Sequence, residues 1–254
     1  MISGKLKSAV SIDIISQIKN YIISNYDASS FTPAVEKFLG EVQQNRNVIS
    51  DLGEIKQNLD NLKSNRQICI QYINQLNLLK SKMSFGKDKL AVHLGFMWKD
   101  TLKNSNCNSM NINFELYNVM FNLATIYLNI AKIESVEAAG DDARLKEAIK
   151  SYQYAAGFFD RIKNEAPQSI PDKEMPNDLK PNYILSPGMG NNDTISDEGI
   201  LNSRNSRLFA EKFFIPFTEN ESINLAFKSG EPKIFVINNN SGAINELCLN
   251  EYQS

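Results

Sequence analysis

The chain has 254 residues, of which 42% are hydrophobic and 22% charged, and its formal net charge is −2. That length is ample for a hydrophobic core, and the balance is ordinary for a globular protein. It excludes the basic stripe of a nucleic-acid reader, because Lys and Arg are interspersed with Asp and Glu. Cys69, Cys107 and Cys248 lie far apart, with no CxxC and no Cys/His cluster, so neither zinc nor any other metal is expected. Sparse thiols point to a reducing compartment. No run reaches the ~18 apolar residues of a membrane span. Residues 1–11 carry neither an apolar signal region nor a glycine directly after Met1 for myristoylation. Membrane association is expected only indirectly.

Taken in chain order, residues 10–26 predict a helix. Val10, Ile14, Ile18, Tyr21 and Ile22 form one apolar stripe, and Ser11 and Asp13 are candidate caps. Asp27, Ser29 and Ser30 break the pattern. Pro33 suits the first turn of a second helix, with Val35, Phe38, Leu39 and Val42 on one side. Ile49 to Leu79 reads as a long periodic segment with a bend at Ser64 and Asn65. Its repeat is not sustained over enough heptads for a coiled coil. Leu90, Val92, Leu94, Phe96 and Trp98 then alternate with Ala91, His93, Gly95 and Met97, the period of a strand. Lys103–Ser109 reads as a polar loop. Ile112–Ile133 and Ala143–Lys163 read as helices joined by a turn at Gly140 and Asp141. In the second, Ala148, Tyr152 and Ala155 follow the small–large–small pattern of a tetratricopeptide helix, which predicts a closely packed helical hairpin.

After Ala166 the composition shifts. Pro167, Pro171, Pro176, Pro181 and Pro187, with Gly188, Gly190 and Gly199, predict an extended loop or disordered stretch over 165–203. Leu208–Phe217 suggests a short packed element, and Lys233–Ile237 a strand.

Candidate chemistry is thin. His93 is the only histidine; on the second face of its strand it reads as a surface or hydrogen-bonded residue. No GxSxG is present. Trp98 reads as core. Glu134, Glu137, Asp141 and Asp142 cluster at a helix end and read as a solvated turn with nothing apolar nearby to shift a pKa. Gly188-Met189-Gly190 lacks the GK[ST] ending of a phosphate loop. Tyr154 and Phe158 lie on the opposite side of their helix from Tyr152 and Phe159. A helix apolar on both sides is either sandwiched between layers or offers a groove to a partner helix.

Five blocks carry a resemblance. The first is Leu6, Lys7 and Val10, then Ile12-Asp13-Ile14, and Tyr21-Ile22 to Tyr26. The second is Phe96-Met97-Trp98-Lys99-Asp100. The third is Phe114-Glu115 followed by Val119-Met120-Phe121-Asn122-Leu123-Ala124. The fourth is Leu145-Lys146 and Ala148, then Tyr152-Gln153-Tyr154-Ala155-Ala156-Gly157 and Phe159. The fifth is Pro176-Asn177-Asp178-Leu179. In order and type they resemble the BRO-domain family over residues 5–180. The resemblance implies a mainly α scaffold, with a tetratricopeptide-like helical hairpin and a small β element. Phe96, Trp98, Asp100, Phe114, Glu115, Phe121, Asn122, Gln153, Ala155, Ala156, Gly157 and Phe159 are its structural motif. Gly157 inside a helix costs ~1 kcal/mol relative to Ala, which close helix contact would justify. Asn122 on an apolar helix calls for a neighbouring backbone partner.

The expected organisation is a BRO-like domain over 5–184 and a divergent or partly disordered segment over 185–254. The family's next helix, of a Leu-Ala-Gln-Ala-Gln-Glu type, has no counterpart here. By resemblance the protein is a non-enzymatic adaptor of endosomal sorting, cytoplasmic and peripheral to endosomes. It would bind the amphipathic C-terminal helix of an ESCRT-III-type subunit through Tyr154, Phe158 and Ile162, without a cofactor. The alternatives are a signalling adaptor with the same domain, Rho-linked or in a pH response, and an enzyme whose motif is unrecognised.

Overall fold

A computed structural model describes residues 4–26, 28–54, 58–138 and 141–184 and, beyond them, the backbone of strands 221–228, 231–238 and 244–247. The chain divides into two compact units, Met1–Gly188 and Met189–Ser254. In the first unit the order is α1 (Ile14–Asn25), α2 (Pro33–Ser50), α3 (Leu59–Lys82), β1 (Phe96–Lys99), β2 (Asn106–Ser109), α4 (Ile112–Glu137), α5 (Asp142–Ser169) and the single turn α6 (Pro181–Ile184). In the second unit, β3 (Glu221–Lys228), β4 (Glu231–Asn238) and β5 (Ile244–Leu247) form an antiparallel sheet in that order. The strand expected at Lys233–Ile237 lies within β4. Leu208–Phe217, the glycines at 188 and 190, and the 185–203 part of the expected loop lie outside the described residues.

The first helix starts later than its apolar stripe. Residues 4–10 form an extended arm instead. The Val10 N–H donates to Met97 O and the Lys99 N–H to Ser8 O, each at 3.0 Å, so the arm lies as a strand beside β1. Val10 is accordingly exposed and not part of the helical stripe. Asp13 caps α1 by accepting from the Ser16 N–H at 3.0 Å. Ile14, Ile18 and Ile22 form its buried face.

The arm also explains why α2 ends at Ser50, so that the long helical segment does not bend at Ser64 and Asn65, which sit inside α3. The Ala9 N–H donates to Ser50 O. At Gly53 an added Cβ would lie 2.8 Å from Ser8 N and 2.9 Å from Leu6 O. The backbone approaches so closely there that α2 cannot continue over the arm. α3 begins afresh with Asn58 as its cap.

The β element is smaller than expected on one side and larger on the other. Burial alternates from Val92 to Trp98, but only Phe96–Lys99 enters the ladder, and Leu90 is exposed. The chain before it makes a turn, Ala91 N–H to Asp88 O, and an isolated parallel bridge of Val92 with Phe85. Part of the expected 103–109 loop is strand β2, paired antiparallel from Phe96↔Ser109 to Lys99↔Asn106. Asn104, at φ 54°, makes the left-handed turn between them.

α4 is the central helix, with nearly every position from Ile112 to Leu128 buried. α5 packs along it as the expected hairpin, with Ala148, Ala155, Phe159, Ile162 and Ala166 buried. Phe121 and Phe159 meet edge-on at 5.6 Å between centroids. α5 runs through Pro167 to Ser169, so the loop expected from 165 does not begin there. Residues 170–184 are ordered against the core too, with Ile170, Met175 and Leu179 buried. The prolines at 171, 176 and 181 shape tight turns and a short 3-10 segment, Asn177–Leu179.

The arm is clasped by two asparagines of α4 set two turns apart. Asn122 accepts from the Lys7 N–H at 2.7 Å and donates to Lys7 O at 3.0 Å. Asn129 does the same for Gly4, both at 3.2 Å. The backbone partner expected for Asn122 is therefore Lys7. Asn122→Ala would orphan a buried N–H and a buried C=O, and we expect it to cost about 2–4 kcal/mol, read as a lower urea midpoint with unchanged slope. Asn129→Ala, on a half-buried pair, should cost less than half of that.

Candidate functional site

The motif residues divide into a buried framework and an exposed patch. In the framework, Glu115 is fully buried on α4. It accepts from Tyr72 Oη at 3.0 Å and from Trp98 Nε1 at 2.5 Å, and pairs with Arg46 Nε at 2.5 Å. The Arg46 guanidinium lies 5.3 Å from the Trp98 ring centroid. Burial, and then the Glu115 charge, hold the Tyr72 phenol well above its ordinary pKa, so it stays a donor. A second cluster surrounds Asp178. Its carboxylate takes the Lys7 ammonium at 2.5 Å on one oxygen, and the Thr101 N–H and Oγ1 at 2.7 and 2.9 Å on the other. Asp100 crosses the same space. One oxygen caps the turn through Leu102 and Lys103 N–H, and the other accepts from Asn177 N and Nδ2 at 2.7 and 2.8 Å.

Every one of the five sequence blocks is thereby joined to another. Lys7 meets Asn122 and Asp178, Trp98 meets Glu115, Asp100 meets Asn177, and Phe121 meets Phe159. Phe96, Phe114 and Ala155 are buried in the same core, while Gln153, Ala156 and Gly157 are half-buried along α5. These contacts build the fold. Arg46 and Lys7 escape a reading by polarity. The signal for Arg46 was its place in line with Leu39, Val42 and Ile49 on the buried face of α2.

The exposed patch lies where α3, α4 and α5 meet. Tyr154 is 56% exposed, and its ring sits 5.1 Å from that of Tyr127. Phe158, one turn on, stacks on the same Tyr127 ring at 6.0 Å and 15°. Arg66 of α3 covers Tyr127 at 5.6 Å and reaches Glu147 at 3.9 Å. Ile162 is fully buried, so the structure does not place it on a surface with Tyr154; it packs in the core one turn beyond Phe158. Tyr127 and Arg66, absent from the expected site, join Tyr154 and Phe158 instead.

The other titratable candidates are placed as follows. His93 is exposed, with Nε2 2.8 Å from Asp88 O. Glu137 pairs with Arg144 at 2.6 Å, and Asp141 caps α5. Glu134 departs from the expected solvated turn: it is buried and bonds Lys63 at 2.7 Å, because α4 runs on past Ile133 and carries it under α3. Burial pushes the Cys69 thiol up to about 12, which makes it inert. Among the described residues, no three His, Cys, Asp or Glu side chains are placed to hold a metal ion, and no helix is long and apolar enough to cross a membrane.

A helical scaffold with a two-stranded hairpin and a clasped N-terminal arm is the class that these features define. Comparison with known proteins gives the family: residues 1–186 match the BRO1-like domain, and the chain belongs to that family. It is 23% identical over 187 residues to programmed cell death 6-interacting protein of Xenopus laevis, covering 72% of this chain and 21% of that one. It is 25% identical over 162 residues to the vacuolar protein-sorting protein BRO1 of Gibberella zeae, covering 64% and 15%. The chain thus spans about a fifth or less of these relatives. Among solved structures it is similar to ALIX in complex with the SIVmac239 late domain, at TM-score 0.60, 22% identity and coverage of 72% and 26%. It is also similar to an ALIX BRO1–CHMP4C complex, at TM-score 0.59, 20% identity and coverage of 72% and 51%. The fold is therefore that of BRO1 domains.

Asp100 gives the framework a pH dependence. Burial pushes its carboxyl up, but the hydrogen bonds from Lys103, Asn177 and Leu102 outweigh it, and the pKa lies below the ordinary 3.8. A depressed folded pKa means stability that is complete above the unfolded value and is lost as pH falls through the folded one. Asp100→Asn should therefore flatten the loss of thermal stability on acidification from about pH 5 to pH 3 relative to the wild type, measured by circular dichroism melts.

Proposed function

We propose that this protein is a non-enzymatic adaptor of endosomal sorting that binds the amphipathic C-terminal helix of an ESCRT-III-type subunit. The observation that carries the reading is the aromatic cluster in which the exposed Tyr154 and the half-buried Phe158 stack over the buried Tyr127 ring on the helical hairpin, with Arg66 beside them. Stacked rings on a preformed surface lose little entropy on binding, and an amphipathic helix presents anchors at matching i, i+3, i+4 and i+7 spacings. Membership of the BRO1-like family supports the reading, as does the likeness to the ALIX BRO1 domain solved with CHMP4C. A likeness to a structure concerned with endosomal targeting by the Bro1 domain, at TM-score 0.52, gives the setting. Signalling adaptors stay as the second reading, because Rhophilin-2-B of Xenopus laevis, 23% identical over 190 residues, is also a relative.

The test is fluorescence anisotropy with a labelled peptide of a CHMP4-type C-terminal helix. Tyr154→Ala removes an exposed ring without entering the core, and should weaken binding by about tenfold, the loss of one moderate hot spot. Saturable binding indifferent to this change would move the site elsewhere on the domain. No binding by a folded chain would overturn the proposal.

A further inference from the structure

We propose that the outer edge of β2 is a docking site for an extended acidic peptide, which would add to the hairpin as a further strand. The direction of the hydrogen bonds carries this. Met97 O and Lys99 N are bonded to the arm, and main-chain groups alternate sides along a strand. Phe96 and Trp98 therefore face β2, where their partners are Ser109 and Cys107. The N–H and C=O of Asn106 and Asn108 must then point away from the hairpin. In the two-stranded sheet β2 has no second neighbour, and no described backbone or side chain takes the Asn106 or Asn108 N–H. The arm already closes the β1 edge, so β2 is the side left open.

The space beside it suits a chain of defined charge. An open cleft of about 500 Å³ runs along Asn106–Met110, bordered by Lys87 and Lys173. Both ammonium groups are exposed. The one carboxylate there, Glu174, is engaged: it accepts from Ser109 Oγ at 2.5 Å and lies 4.0 Å from Lys87 Nζ. Lys173 is left for an incoming acid. Gly95 has open space where a side chain would stand, which keeps the cleft clear. Main-chain pairing supplies affinity in this recognition mode, and flanking side chains supply choice. This surface is separate from the aromatic patch, so either can fail without the other.

The experiment is a titration of the full 15N-labelled chain with an acetylated, amidated heptapeptide alternating Glu and Val. The expected result is a saturable shift of the Asn106 and Asn108 amide resonances, with slowed hydrogen exchange at both. Asn108→Pro removes an N–H that the fold does not use, and should abolish the effect while leaving the melting temperature near that of the wild type. A peptide N-methylated on alternate amides makes the same test from the ligand side, should the proline variant misfold; it should not bind. Lys173→Glu should weaken binding several-fold. Unmoved amides at millimolar peptide would overturn the proposal, as would full affinity in the N-methylated peptide. Equal binding of a Lys/Val heptapeptide would overturn its acidic preference. Concentration-dependent broadening of the two amides without peptide would assign the edge to a second copy of this chain instead.

Discussion

The burial of Lys7 is the constraint on which the rest of this domain depends. Its ammonium is withdrawn from water onto Asp178 and lies 5.2 Å from the Phe121 ring centroid. Its own N–H and C=O are both taken by Asn122. An isolated ammonium placed there would be prohibitive, and removing either member of such a buried pair costs roughly 3–5 kcal/mol. The residue therefore fixes three things at once: the arm, the middle of α4, and the turn after α5. The arm in turn sets the position of β1 and the end of α2, through Met97 and Ser50. This short extended segment, whose last residue Val10 reads as the start of a helix, lies beside β1 and touches the end of α2 and the middle of α4.

Glu115 plays the matching part on the other side of α4. It is a buried acid with an arginine, a phenol and an indole turned toward it. The Tyr72 hydroxyl, the Trp98 indole N–H and the Arg46 charge together compensate the buried carboxylate. These two clusters bring together residues that are far apart in the chain, Lys7 with Asp178 and Arg46 with Glu115. They add specificity of register that the aliphatic core of α4 alone would not supply.

Much of this was legible from patterning. α4, α5 and their pairing follow from helical periodicity, and Trp98 and Asn122 follow from residue type. The errors share a cause. Val10 and the break before α3 were decided by backbone groups meeting across long sequence separations, and β2 by pairing with the adjacent β1, and helical or strand periodicity registers neither. Pro167 and its successors suggested an open loop because composition marks where a helix cannot easily continue. It does not mark where Ile170, Met175 and Leu179 will find a core. The candidate site was legible only in part. Tyr154 and Phe158 stood out as a second apolar face, but Tyr127 and Arg66 come from other helices, and Ile162 turned inward because the α4–α5 contact closes one turn beyond Phe158.

The blocks that mark the family meet one another in this structure, through residues that are mostly buried: Lys7, Trp98, Asp100, Glu115, Phe121, Asn122, Phe159 and Asp178. Altering one member of Lys7–Asp178 or of Lys7–Asn122 leaves a buried charge or amide without its partner. That burial limits what the match can say about partners. Residues locked into Glu115, Asp178 or Asn122 cannot also touch a ligand. Recognition must fall to groups that the framework positions but does not occupy. The two surfaces proposed for binding, the rings of Tyr154 and Phe158 over the helical hairpin and the outward main chain of Asn106 and Asn108, are of that kind. The framework makes both rigid, and rigidity is what lets a shallow surface bind without a deep pocket.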